Sequence, residues 1–127
     1  LKENGMDILE MLVRFAITGS FDGWDASVYD NAAFKNHYCS LNILIQPDTI
    51  AKIENLDIVK GLSSVTNFTQ MMYEGDTVHL AGTVQQIFCK FSLVDDSREK
   101  LLETIRYIQE TLKVYNNQGQ NLVLKLW

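Results

Sequence analysis

Short extended runs in series, set between two amphipathic helical stretches, constrain this chain more than any other feature. Residues 38–46 (YCSLNILIQ) alternate, with Cys39, Leu41, Ile43 and Ile45 on the side to be buried and Tyr38, Ser40, Asn42 and Leu44 on the other. Pro47-Asp48 turns the chain, and residues 49–54 are extended again, anchored by Ile50 and Ile53. Residues 56–61 read as a short connection of one helical turn, and 65–73 as a third strand. Glu74-Gly75-Asp76 is a turn, and 77–80 continues extended. Residues 83–93 form a long strand with Val84, Ile87 or Phe88, and Phe91 inward, its register slipping at a bulge near Gln85-Gln86. Residues 114–115 and 122–126 flank Asn116-Asn117-Gln118-Gly119-Gln120, a hairpin-loop signal. Strands in series with hairpin-length links make an antiparallel sheet. The expected class is therefore α+β: about five to six antiparallel strands with two main helices packed on them.

The first helix spans 5–18. Met6, Leu9, Val13 and Ala16 recur at helical spacing, and Ile8, Leu12 and Phe15 widen the stripe beyond what one-sided packing needs. Asn4 is placed to cap it, with Asp7 in the first turn, Glu10 and Arg14 as an i,i+4 pair, and Gly19 as the left-handed stop. Residues 19–37 are irregular, and Trp24, Tyr29 and Phe34 suit a loop folded back on the body. The second helix spans 97–113, with Leu101, Ile105, Ile108 and Leu112 on its core face. Asp96 is the expected N-cap and Glu99 the residue at N3.

A length of 127 residues suits one domain, 1–127. Such a domain buries roughly two-thirds of its unfolded surface and can build a core without staples. Apolar residues at 46% exclude a disordered chain. The charge of −5 comes with basic residues scattered singly, so no basic stripe exists for nucleic acid or an anionic membrane surface. No apolar run reaches the ~18–20 residues of a membrane span. The opening Leu1-Lys2-Glu3-Asn4-Gly5 lacks the apolar stretch of a secretory leader, and its missing initiator methionine reads as a cut inside a longer protein. Cys39 and Cys89 form no C-x-x-C and have no histidine at ligand spacing; both are expected as reduced thiols in a cytoplasmic protein.

No residue pattern amounts to a self-sufficient active site, and the expected catalytic, cofactor-binding and metal residues are none. His79 in a strand and His37 in a polar loop read as structural or solvent-facing. Asp22, Asp25 and Asp30 miss the spacing of a calcium loop. Gly75, Gly82 and Gly119 are isolated and build no phosphate loop, and no serine sits in a G-x-S-x-G elbow. Asp95-Asp96 before Ser97 reads as helix capping, since an anion at a helix start is stabilised by the dipole.

Three segments carry a family resemblance: GMDILEMLVRFAITG (5–19), TIAKIENLDIV (49–59) and EGDTVHLAGTVQQIFCKFSLVDDSREKLLETIRYIQETLKVYNNQG (74–119). Together the layout of 5–19 and 38–124 resembles the C-terminal end of ATP-grasp ligases, in the carboxylate–amine ligase branch with relatives of the carbamoyl-phosphate synthase large subunit, L-amino acid ligases and biotin carboxylase. The first segment is similar to the helix after the family's metal-binding strand and loop. The second is similar to a strand written G-x-[IV]-x-x-I-x-G, and the third to the closing turn, long strand, helix and hairpin. Asp48 stands where the family has a small residue and Asn55 where it has glycine, and both tolerate left-handed or turn backbone.

The resemblance implies a C-terminal fragment of an ATP-dependent enzyme. Its parent would phosphorylate a carboxylate and let an amine displace the phosphate. ATP and Mg²⁺ would belong to the parent, held by residues before Leu1, and no cofactor to this fragment. The implied partners are the ATP-binding lobe of its own chain and a second copy in a homodimer, with no nucleic acid and no membrane. The alternative is a small non-catalytic interaction or ligand-binding module.

Overall fold

The computed structural model describes residues 7–21, 23 and 36–125. The chain divides into two compact units, Leu1–Phe34 and Lys35–Trp127.

The first unit carries helix α1 (Ile8–Thr18). The expected cap Asn4, and Met6 of the apolar stripe, lie outside the described residues. Asp7 is not in the first turn: it is the N-cap, in extended conformation, and its carboxylate accepts from the Glu10 N–H at 3.1 Å. Gly19 closes the helix at φ 70°, donating to the Phe15 carbonyl at 2.8 Å. The Glu10–Arg14 pair forms at 3.7 Å, and Phe15 stacks on Phe21 with centroids 4.3 Å apart. No α1 residue is buried, and Leu9 and Ile17 are 71% and 79% exposed. The folded-back loop with Trp24, Tyr29 and Phe34 falls outside the described residues, as do Asp22, Asp25 and Asp30.

In the second unit the described strands are β1 (His37–Leu44), β2 (Lys52–Glu54), β3 (Val65–Gln70), β4 (Ile87–Asp95) and β5 (Lys113–Tyr115). Helices α2 (Leu56–Lys60) and α3 (Arg98–Thr111) lie between them. The class is α+β and every named strand pair is antiparallel. The strands form two ladders, β1-β4-β3 and β2-β5. β1 alternates as its sequence requires, with Leu41, Ile43 and then Ile45 buried. α3 packs against β1 and β4 through Leu101, Ile105 and Ile108, and Leu112 just after it is also buried. With Phe91, Leu93, Val114 and Leu122 these form one core.

Three local expectations are corrected. Val84 does not point inward; it is 82% exposed and opens a 3-10 turn, Val84–Gln86, ahead of β4. Gln86 is buried instead: its amide donates to the Ile45 carbonyl at 2.9 Å and its carbonyl accepts from the Gly82 N–H. A buried amide is tolerable because both its ends are bonded to backbone. The bulge lies past Gln85-Gln86, where Ile43 pairs Cys89 and Leu44 pairs Ile87, leaving Phe88 as the extra, fully buried residue.

The α3 cap is Ser97, whose hydroxyl accepts from the Lys100 N–H at 3.2 Å, not Asp96 with Glu99. Asp95 still belongs to β4, opposite His37, so the helix starts one residue later than local preference indicates. Asp96 instead pairs with the Lys100 ammonium at 2.8 Å.

Asn55 adopts the turn backbone expected of it. It has φ 64°, the left-handed backbone that asparagine tolerates, and its amide donates to the Thr111 carbonyl at 2.9 Å. The hairpin after β5 also forms, closed by a Tyr115–Asn121 bridge, and the segment beyond it pairs with the end of β1 through Ile45 and Val123. Asn116 organises this corner. Its side-chain oxygen accepts from the N–H groups of Gln118 and Gln120, at 3.0 and 2.9 Å, and its amide nitrogen donates to Asp48 at 2.8 Å.

Two carboxylates in this unit give folding a pH dependence. The Asn116 amide, then the Thr49 N–H, hold the Asp48 carboxyl below its ordinary range. The Ser64 hydroxyl does the same to Asp95, helped by Asp96 and Lys100. With the folded pKa lowered, the unfolded chain binds more protons as pH falls. Their stabilisation is therefore full above the unfolded aspartate pKa of about 3.9 and is lost below it. Urea midpoints should fall between pH 6 and pH 3, and less so in an Asp48→Asn/Asp95→Asn variant; equal slopes would refute this.

Candidate functional site

The three-stranded ladder has two faces of opposite character. One is apolar: Cys39, Leu41 and Ile43 of β1, Cys89, Phe91 and Leu93 of β4, and Phe68 of β3, whose ring lies 5.0 Å from that of Phe91. The other is polar, because alternation sends the intervening residues away from the core. Its rows follow from the register. Asn42 pairs Lys90, which pairs Thr69; Ser40 pairs Ser92, which pairs Asn67; Tyr38 pairs Val94. Directly paired residues have Cβ atoms roughly 5 Å apart, so each row is one cluster of side-chain ends. Lys90, Asn42 and Thr69 are exposed.

A hydroxyl repairs the ladder beside these rows. Thr66 sits at the register shift between Val65 and Asn67, and its Oγ1 donates to the Ser92 carbonyl at 3.1 Å. Such a bulge on edge strand β3 also disfavours pairing with another strand.

An open cleft of about 520 Å³ lies over the β2–β5 ladder, lined by Lys52, Glu54, Tyr115 and Asn117 among others. Its two charges neutralise each other, Lys52 to Glu54 at 2.6 Å, and Glu54 raises the Lys52 pKa.

Among the described residues, those singled out in the sequence do not converge. His37 and Asp95 pair at the end of the three-stranded ladder, in register on the Cys39–Leu93 side and not on the Lys90 side, while His79 lies in the β3–β4 connection. Gly75, Gly82 and Gly119 serve separate turns at φ 97°, 74° and 76°. Among the described residues no three His, Cys, Asp or Glu side chains gather as a metal-ligand set. Lys90 gives no signal in the sequence; only the register puts Asn42 and Thr69 beside it.

Both thiols are free, Cys39 half-buried and Cys89 buried. They face β4 and β1 partners four positions apart in register, Cys39 on Leu93 and Cys89 on Ile43. That is roughly 13 Å along a strand, far beyond disulfide reach. Burial pushes the Cys89 thiol up to about 12 and raises Cys39 as well, so neither suits a nucleophile. Ellman's reagent should find two thiols in unfolded protein and leave Cys89 unreacted in folded protein. Rapid native labelling of Cys89 would contradict its placement.

No family model and no curated protein matches the sequence. A solved structure does match the fold. It is the crystal structure of an L-amino acid ligase from Bacillus licheniformis, with a TM-score of 0.68 and 18% sequence identity. The chain shares the fold of one part of that ligase. The match covers 91% of this chain and 28% of the ligase, so the chain spans little more than a quarter of the ligase's length. No helix among the described residues is long and apolar enough to cross a membrane.

Proposed function

We propose that this chain is the C-terminal part of a cytoplasmic ATP-grasp carboxylate–amine ligase. The fold likeness to part of an L-amino acid ligase carries this reading, together with the three resembling segments. In it, the chain supplies sheet, helices and surface to the substrate side of the enzyme. The ATP-binding lobe of the same polypeptide, and a second copy in a homodimer, are its partners.

The described residues do not themselves fit Mg²⁺-ATP. Holding it needs carboxylates free for the metal and cations or amide-rich loops for the phosphates. The adjacent carboxylates Asp95 and Asp96 are committed to Ser64 and Lys100. The cations Lys52, Lys60 and Lys100 are each paired with an acid, and the unpaired Lys90 is the single Lys or Arg of β1, β3 and β4, one charge where a triphosphate needs a clamp of several. The reactive machinery is accordingly assigned to the rest of the parent, and no chemical step is assigned to this chain.

Two measurements test the reading. The full reading frame containing this segment, expressed as one protein, should release ADP only when ATP, a carboxylate substrate such as a free amino acid, and an amine are all present. Absence of such release across the amino acids, alone and in pairs, would overturn the assignment in favour of a non-catalytic module. The 127-residue chain alone should show no micromolar ATP or Mg²⁺ site by calorimetry.

A further inference from the structure

We propose that the polar face of the three-stranded sheet, centred on Lys90, binds the oxyanion of a small-molecule ligand, a carboxylate or a phosphate. The inference goes beyond the ligase reading and does not need it.

Charge distribution is the first ground. The chain carries sixteen carboxylates and a net charge of −5, yet β1, β3 and β4 contain none before Asp95 at the very end of β4. Lys90 is the single Lys or Arg in those strands and lies on the central one. A positive centre on a face kept free of carboxylates favours an anion.

The second ground is that this cation is uncommitted. Lys52, Lys60 and Lys100 each hold a carboxylate, whereas Lys90 holds none among the described residues. Its cross-strand neighbours are hydrogen-bond donors, the Asn42 amide and the Thr69 hydroxyl, with Ser40 and Ser92 in the next row. Neither the Asn42 amide nor the Thr69 hydroxyl bonds to another protein group among the described residues, and both residues are exposed. An ammonium flanked by two neutral donors is the set that an oxyanion with several lone pairs can satisfy at once.

The platform is also rigid. Behind Lys90 on the opposite face stand Cys89 and Phe91, both fully buried, so the three donors are held on a ladder and not on loops. Donors fixed before binding lose little freedom on binding.

The test uses ¹⁵N-labelled 127-residue chain titrated with sodium acetate and with inorganic phosphate, at constant ionic strength because exposed charges are screened. Saturable shifts centred on the amides of Lys90, Asn42 and Thr69 are expected. Lys90→Met should weaken binding about three- to tenfold, and Lys90→Arg should restore it. Lys113→Met, a control in the separate β2–β5 ladder, should leave it unchanged. If Lys90→Met fails to give a folded spectrum, an Asn42→Ala/Thr69→Val variant tests the same site through its neutral donors. Saturation by acetate alone assigns a carboxylate, by phosphate alone a phosphate, and by both a general oxyanion site. Shifts that do not saturate, or that survive Lys90→Met unchanged, overturn the proposal.

Discussion

Replacing Phe91 by alanine is expected to cost about 3–5 kcal/mol, the range for deleting a large buried aromatic whose cavity collapses only in part. Phe91 is fully buried at the middle of the central strand, paired with Leu41 on one side and Phe68 on the other. Its neighbours are held by strand pairing on both sides of β4 and cannot easily close the void. Domains of this size have a total stability of about 5–15 kcal/mol, so one substitution removes a large share of it. At about 4–8 °C per kcal/mol, the melting temperature should fall by well over ten degrees. Ile105→Ala on α3 should cost about 2–5 kcal/mol, since Ile105 is 4% exposed on the face packed against the sheet. A thermal melt of either variant coinciding with that of the parent chain would show that the core has been wrongly placed.

The chain is also expected to self-associate as concentration rises, through α1. An 11-residue helix is too short to be stable by propensity alone and needs apolar packing. α1 has the residues for it, since Ile8, Leu9, Leu12, Val13, Phe15 and Ile17 are large and apolar, yet all six are at least 41% exposed. They surround the helix more widely than the ~100° stripe of one-sided packing. Exposed apolar surface on this scale drives association. Sedimentation equilibrium should give a mass that climbs with concentration, and a Leu12→Glu/Phe15→Glu variant should stay monomeric. In a ligase parent the same surface would be covered by the rest of the polypeptide, and the longer protein should lose this behaviour. A wild-type chain that stays monomeric up to millimolar concentration would sink the idea.

Element type was legible in the sequence wherever periodicity was long. Leu101, Ile105, Ile108 and Leu112 could lie on one face only as a helix, and Cys39 to Ile45 could alternate only as a strand. Asn55 was legible too, because few residues accept a positive φ. Boundaries were less so. Asp96 and Ser97 are both good caps, and the choice fell to Ser97 because β4 keeps Asp95 in register with His37. Val84 fits an inward strand position by hydropathy, yet Gln86 takes the buried place once its amide reaches the Ile45 carbonyl, forty-one residues away in sequence.

What the sequence by itself determined was therefore the class of the fold and the faces of its main elements. Both rest on interactions between residues a few positions apart. Only the tertiary structure decided how the five described strands divide into two ladders, where the bulge falls, and which polar side chains become neighbours. Lys90 is unremarkable between Cys89 and Phe91 in the chain. It becomes the centre of a donor cluster because antiparallel register brings Asn42 and Thr69 to its two sides. Such register is set by bulges and core packing summed over whole strands, which no local window contains.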